Sequence, residues 1–168
     1  NLLNDAREKS EMLIDILYQK ELHDKKPRTY REKARTAYLN TAQKKSKTGK
    51  IIRKGVGQQL RYLKRNINHI GGLLDKYDGI PLKKKEFKYW YTIQLHYDQQ
   101  QEMFQTKTKS CPDRIVSIHQ PHVRPIVRGK SQAKVEFVSK IHCSIIDGIT
   151  FLDELNWNAF NEGSYLMN

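Results

Sequence analysis

Five residues of metal-ligating type lie in the second half of the chain: Cys111, His119, His122, His142 and Cys143. Zinc takes Cys and His at short, characteristic spacings. Here His119-x-x-His122 straddles Pro121, which is not a usual ligand knuckle. His142 and Cys143 are strand neighbours expected on opposite faces, so one site does not readily use both. No metal site is assigned to this chain. Asp147 ends an apolar run, a position where a carboxylate can hold a metal in a nuclease-like sheet. It also begins Asp147-Gly148, a hairpin signal that needs no distant partner, and the turn is the better reading. No Ser/His/Asp or Cys/His constellation is evident, and there is no phosphate-binding Gly loop. No catalytic residue is assigned.

The chemistry that does stand out is electrostatic. Fifteen Lys and Arg fall within residues 25–65 against one acid, Glu32, in a chain of formal charge +13. Outside this block, basic and acidic residues nearly cancel. A solvated helical face usually mixes signs, because like charges four residues apart repel by about 0.2–0.5 kcal/mol. A polyanion, nucleic acid first, is the expected partner. Six to ten phosphate contacts would make affinity fall about 10³–10⁵-fold between roughly 50 and 200 mM salt. The residues expected to meet nucleic acid are Lys44, Lys45, Arg53, Lys54, Arg61 and Arg65. A second cluster, Arg124, Arg128 and Lys130, lies on a strand–loop edge.

These side chains need elements to position them, and the first half reads as helix. Asn4 or Asp5 caps a segment running to about Leu22, with Leu13, Ile14 and Leu17 on one side. Lys26-Pro27 breaks it. Thr29-Tyr30-Arg31-Glu32 fits a capping box opening a helix to about Lys45, with Tyr30, Ala34, Ala37, Tyr38 and Ala42 inward. Residues 46–50 form a loop. Val56, Leu60, Leu63, Ile67, Ile70, Leu74 and Tyr77 then recur at helical spacing, within roughly 50° of one line at about 100° per residue. Lys54, Arg61 and Arg65 fall opposite. Gly71-Gly72 weakens this helix by roughly 1 kcal/mol per Gly and marks a kink or early end. Asp78-Gly79-Ile80-Pro81 turns the chain. A further helix from about Lys83 to Lys107 carries Phe87, Trp90, Ile93, Tyr97 and Phe104 on one face, a core seam rather than a base-stacking surface. Gln94 and Gln101 are placed to hydrogen-bond across that seam. The two long helices are expected to pack as an antiparallel hairpin.

The period then changes. Arg114-Ile115-Val116-Ser117-Ile118 reads as a strand and residues 123–127 as a Pro-interrupted edge strand. Residues 129–132 form a loop. Residues 135–145 alternate, with Val135, Phe137, Ile141, Cys143 and Ile145 on one side, where Cys143 is expected to be buried. After Asp147-Gly148, Ile149-Thr150-Phe151-Leu152 pairs back, and Trp157 to Phe160 begins a helix or turn. Nothing approaches the roughly 18 apolar residues of a membrane span. The two cysteines make no framework and read as free thiols of a reducing compartment. The chain starts without Met and reads as an internal fragment.

The segment Asp113-Arg114-Ile115-Val116-Ser117-Ile118-His119-Gln120-Pro121-His122-Val123-Arg124-Pro125-Ile126-Val127-Arg128-Gly129-Lys130 resembles a block of bacterial insertion-sequence transposases. Val135-Glu136-Phe137 to Lys140, Asp147-Gly148 and Asn161-Glu162-Gly163 resemble the stretch C-terminal to that block. Leu2-Leu3-Asn4-Asp5-Ala6-Arg7-Glu8 and Lys26-Pro27-Arg28-Thr29-Tyr30-Arg31 are similar to the same group. Val138-Ser139 departs from its Gly-Ala. The resemblance implies a DDE transposase with an RNase H-like core, in which two Asp and a Glu hold Mg2+ or Mn2+ for DNA cleavage and strand transfer. It places the first Asp before the segment matched here and the other two carboxylates after it. It further implies double-stranded DNA (transposon ends and target) as partner, a homo-oligomeric parent, and a bacterial cytoplasmic, nucleoid-associated location.

The expected fold is thus α/β, as an α+β fragment: residues 1–112 a basic helical insertion with a helical hairpin, residues 113–168 antiparallel strands of the RNase H-like core. The rival reading is a non-enzymatic nucleic-acid-binding helical module.

Overall fold

Three helices of the first half each bury a stripe, a fourth buries only Ala34, and one helix receives all the others. The computed structural model describes residues 1–124, 126–127, 135–136 and 139–158. The helices are α1 (Leu2–Leu17), α2 (Arg31–Ala42), α3 (Gly49–Leu74) and α4 (Lys84–Thr106). The strands are β1 (Ile126–Val127), β2 (Val135–Glu136), β3 (Lys140–Ile146) and β4 (Ile149–Asn156). The architecture is mixed α+β and mostly helical. The chain divides into two compact units, Asn1–Arg114 and Ile115–Asn168. No described helix is long and apolar enough to cross a membrane.

In the helical unit α3 touches α1, α2 and α4. Leu63 and Ile70 of the expected seam are fully buried, as are Leu13 and Ile14 of α1 and Ile93 of α4. Each such side chain contributes about 1.5–3 kcal/mol by leaving water. Polar groups fix the register. Asn66 Nδ2 donates to Ser10 Oγ at 2.9 Å, and Gln59 Nε2 donates to the Ala34 carbonyl at 3.1 Å. Buried polar atoms are costly unless bonded, so these contacts select one sliding position among many apolar ones. The pairs 10–66 and 17–77 run parallel, 34–59 and 29–65 antiparallel. Lys64 over Tyr97 and Arg53 over Phe104 make α3 and α4 the expected antiparallel hairpin. Gly79, at φ 103°, permits the turn that joins them.

Several local expectations are corrected. Helix α1 ends at Leu17, not Leu22, and neither Asn4 nor Asp5 caps it; Asn1 stands at the cap. His23 draws the chain aside. Its Nε2 donates to the Leu73 carbonyl at 3.0 Å, and the Gln19 N–H reaches its Nδ1 at 3.3 Å. The Thr29–Glu32 capping box does not form. Tyr30 is the N-cap of α2, at φ 52° and with no side-chain cap. A left-handed non-Gly residue costs about 1–2 kcal/mol. Arg65 supplies the compensating contact: Nη2 donates to the Thr29 carbonyl at 2.6 Å, and the guanidinium lies 4.5 Å from the Tyr30 ring. The capping contact at Glu86 is real, accepting from the Lys83 N–H at 2.8 Å. Helix α2 stops at Ala42, leaving Lys44 and Lys45 in a loop. Helix α3 runs through Gly71-Gly72 to Leu74. In α4 the buried residues are Tyr89, Thr92, Ile93, His96, Tyr97 and Met103, so Ile93 and Tyr97 of the expected face are inward but Phe87 is exposed. Gln94 and Gln101 bond within α4, to the Trp90 carbonyl and the Tyr97 hydroxyl, not across the seam.

In the second unit, residues 114–118 pair with no strand among the described residues. Strand β1 pairs antiparallel with β2, and β3 with β4. Asp147 and Gly148, at φ 52° and 79°, make the two-residue hairpin turn read from the sequence. A register shift falls at His142/Cys143 opposite β4. Such a bulge adds one residue to a strand, and Asp153 accepts from Ser144 Oγ at 3.0 Å. Cys143 is exposed, not buried. The expected loop at 129–132, and the continuation from Trp157 to Phe160 beyond Asn158, lie outside the described residues.

Candidate nucleic-acid interface

The basic block is sorted by the fold into cations that are tied and cations that are not. Asp15, from α1, meets Lys26 Nζ at 2.7 Å and Arg31 Nη2 at 2.9 Å. Burial alone would raise the Asp15 pKa, but hydrogen bonds from Lys26 and Arg31 outweigh it and hold the carboxyl below its usual range. An acid from outside the block thus satisfies two of its members. Arg65 is half-buried and is bonded to Thr29 as described. Arg53 lies against α4, its guanidinium 4.1 Å from the Phe104 centroid. Such contacts are worth about 0.5–1 kcal/mol at exposed sites.

Lys44, Lys45, Lys54 and Arg61 are exposed, and no acid pairs with them among the described residues. Lys44 and Lys54 line a groove of about 620 Å³ between α2 and α3, with Lys33 on its α2 wall and Glu32 the acid at its margin. The floor is a close approach. A Cβ at Gly55 would stand 2.7 Å from Thr41 Cγ2, so only Gly lets the helices meet there.

Arg61, on the same line of α3 as Lys54 at about 100° per residue, borders a second groove. This groove, of about 510 Å³ against α4, is also lined by Lys64, Arg65 and the aromatic residues Tyr97 and Phe104. Arg53 lines its continuation, of about 470 Å³, with Lys107, Lys109 and Arg114. Lys54, Arg61 and Arg65 share one line of α3 at about 100° per residue, as expected, and that line borders both grooves. Lys64, Lys107, Lys109 and Arg114 were not singled out from the sequence. Their only signal there is charge flanking an aromatic seam.

In the second unit Arg124 donates to the carbonyls of Pro121 and Val123, closing its own turn. Arg128 and Lys130 lie outside the described residues. His122 packs against Trp157 at 4.4 Å between ring centroids. His142 Nδ1 lies 3.4 Å from Asp153 Oδ2. Among the described residues no three His, Cys, Asp or Glu side chains come together to hold a metal.

Arg7, Glu11 and His96 are ionisable groups buried in the core. Arg7 and Glu11 are paired at 2.5 Å, 1% and 7% exposed at their side chains. Burial raises the Glu11 pKa, and Arg7 offsets only part of that rise. His96 is 1% exposed, and neither ring nitrogen has a hydrogen-bond partner among the described residues. Burial first, then the Arg114 cation, pushes its pKa down to about 4.

No family model, curated protein or solved structure matches the chain.

Proposed function

We propose that this chain is the DNA-handling helical insertion, with adjoining strands, of an insertion-sequence DDE transposase. The observation that carries the DNA part is the set of exposed cations Lys44, Lys45, Lys54 and Arg61, which have no acid partner among the described residues. The residues resembling that transposase group, above all 113–130, support the rest. In this reading a duplex backbone lies along the α2–α3 edge. Lys44, Lys45 and Lys54 neutralise phosphates and release counterions. Arg65 acts indirectly, by fixing the entry to α2. Arg124, Arg128 and Lys130, in the segment that resembles the transposase group, are assigned to DNA on that resemblance. The parent enzyme cleaves transposon ends and joins them to target DNA with Mg2+ or Mn2+, held by two Asp and a Glu from other parts of the parent. It works as a homo-oligomer, in a bacterial cytoplasm, with the nucleoid. The RNase H-like core belongs to the same proposal.

A salt titration tests the binding. The slope of log affinity against log salt for a duplex should drop by about 2–3 when Lys44, Lys45 and Lys54 become Ser, from about 0.9 per lost phosphate contact. A wild-type slope near zero would sink the reading. The compactness of residues 1–114, which hold the whole basic block, favours a second reading as a non-enzymatic binding module. Strand transfer by the full-length gene product on transposon-end DNA decides between the two.

A further inference from the structure

The two grooves beside α3 differ in kind. The α2–α3 groove is lined by Lys33, Lys44 and Lys54 together with Glu32, and by no aromatic side chain. Among the described residues the α3–α4 groove has no acidic side chain in either of its two parts. One part carries Arg61, Lys64 and Arg65; the other carries Arg53, Lys107, Lys109 and Arg114. Phe104 lines both and stands between them. Its height is set by Gly57: a Cβ there would lie 3.0 Å from Phe104 Cζ, so the ring rests on the α3 backbone. Arg53 is held beside that ring, and Lys64 is held 5.2 Å from the Tyr97 centroid. Arg65 Nε has no hydrogen-bond partner among the described residues, although its residue lines the groove.

We infer that the α3–α4 groove binds single-stranded DNA, with consecutive nucleotides on either side of Phe104. The inference rests on the nucleic-acid reading above and assigns it a second, distinct strand site. Helices packed about 8–10 Å apart leave a groove that admits an extended chain. A duplex does not enter such a groove; it is the duplex whose major groove takes up a helix. Strand tracks of this kind combine cations for the backbone with aromatic side chains under the bases, and guanidinium planes also serve as stacking surfaces. The lining from Gly49 to Asn68 of α3 extends about 28 Å at about 1.5 Å per residue. That length suits several nucleotides.

The experiment uses the whole chain with a labelled single strand of about 12 nucleotides, and the duplex of the same sequence, read by fluorescence anisotropy. Phe104→Leu keeps an apolar side chain on Gly57, and Lys64→Gln with Lys109→Gln removes charge from the groove. Each variant should lower single-strand affinity about tenfold and change duplex affinity less than about twofold. Lys44, Lys45 and Lys54 changed to Ser should do the reverse. A single strand that does not bind, or binding unchanged in both groove variants, overturns this inference while duplex binding upholds the wider reading. Equal losses for both DNA forms in the groove variants also overturn it. If wild-type protein binds neither form, the nucleic-acid reading falls with it.

Discussion

The helical unit and the β3–β4 hairpin follow opposite rules of burial. In the helical unit Leu63, Ile70 and Ile93 are fully buried, while its unpaired cations face water. In the hairpin Ile145 is 72% exposed, Ile149 61% and Leu152 60%. Both regions carry clean apolar periodicity in sequence. The difference lies in the number of covering layers. Helices α1, α3 and α4 are covered by neighbours across their stripes, α3 by three. Two strands cover each other only edge to edge, which satisfies backbone hydrogen bonds but buries neither face. Ile141, Cys143, Ile145, Leu152 and Leu155 share one face by register, and all are exposed. Periodicity therefore predicts which residues share a face, not whether that face is covered.

The sharpest way to break this contrast is truncation at matched positions. Leu63→Ala should cost about 2–5 kcal/mol in urea unfolding, because the cavity cannot collapse within three packed helices. Ile145→Ala should stay within about 0.5 kcal/mol. Comparable losses at both sites would show that the hairpin face is covered in solution.

Acid provides the second cut. The pKa of His96 is depressed to about 4 in the folded protein, against an ordinary value of 6.5. Its contribution to stability is full above pH 6.5 and lost as pH falls through about 4, because the unfolded chain takes the proton first. The loss should total about 3 kcal/mol. Glu11 is raised, so its effect has the opposite sign. His96→Leu isolates the histidine: thermal melts at pH 7 and pH 4.5 should converge, with no loss at neutral pH. Unchanged acid sensitivity in that variant would place the cause elsewhere.

The third and smallest effect divides α3 itself. Gly55→Ala would drive a methyl into Thr41 and should destabilise by about 1 kcal/mol net, overpacking exceeding the gain in helix propensity. Gly72→Ala meets nothing within 4 Å and should stabilise by about 0.5–1 kcal/mol. Two glycines of one helix should thus shift Tm in opposite directions. Equal shifts would mean that α2 does not lie close against α3.

Much of the helical framework was legible in the sequence. The seam of α3, the Gly79 turn and the α3–α4 hairpin follow from spacing and turn chemistry, and so does Asp147-Gly148. The candidate interface was legible only in part. Lys44, Lys45, Lys54 and Arg61 are exposed cations as expected, but Arg65 serves Thr29 and Tyr30, and Arg53 is held on Phe104. The capping box at Thr29 did not form: Tyr30 stands at the N-cap, and the Thr29 hydroxyl accepts from Arg31 Nε at 3.4 Å. His96 and Asn66 entered the core without any apolar signal of their own.

The sequence by itself determined where charge accumulates, which residues recur on one helical face and where the chain must turn. These depend on neighbours within a few positions, whose geometry the backbone fixes. The tertiary structure alone decided which cations remain unpaired, which polar groups are buried and which apolar faces stay open. Those outcomes depend on partners brought together from distant positions, as Asp15 with Lys26 and Arg31 or Ser10 with Asn66. Local periodicity carries no information about who that partner will be.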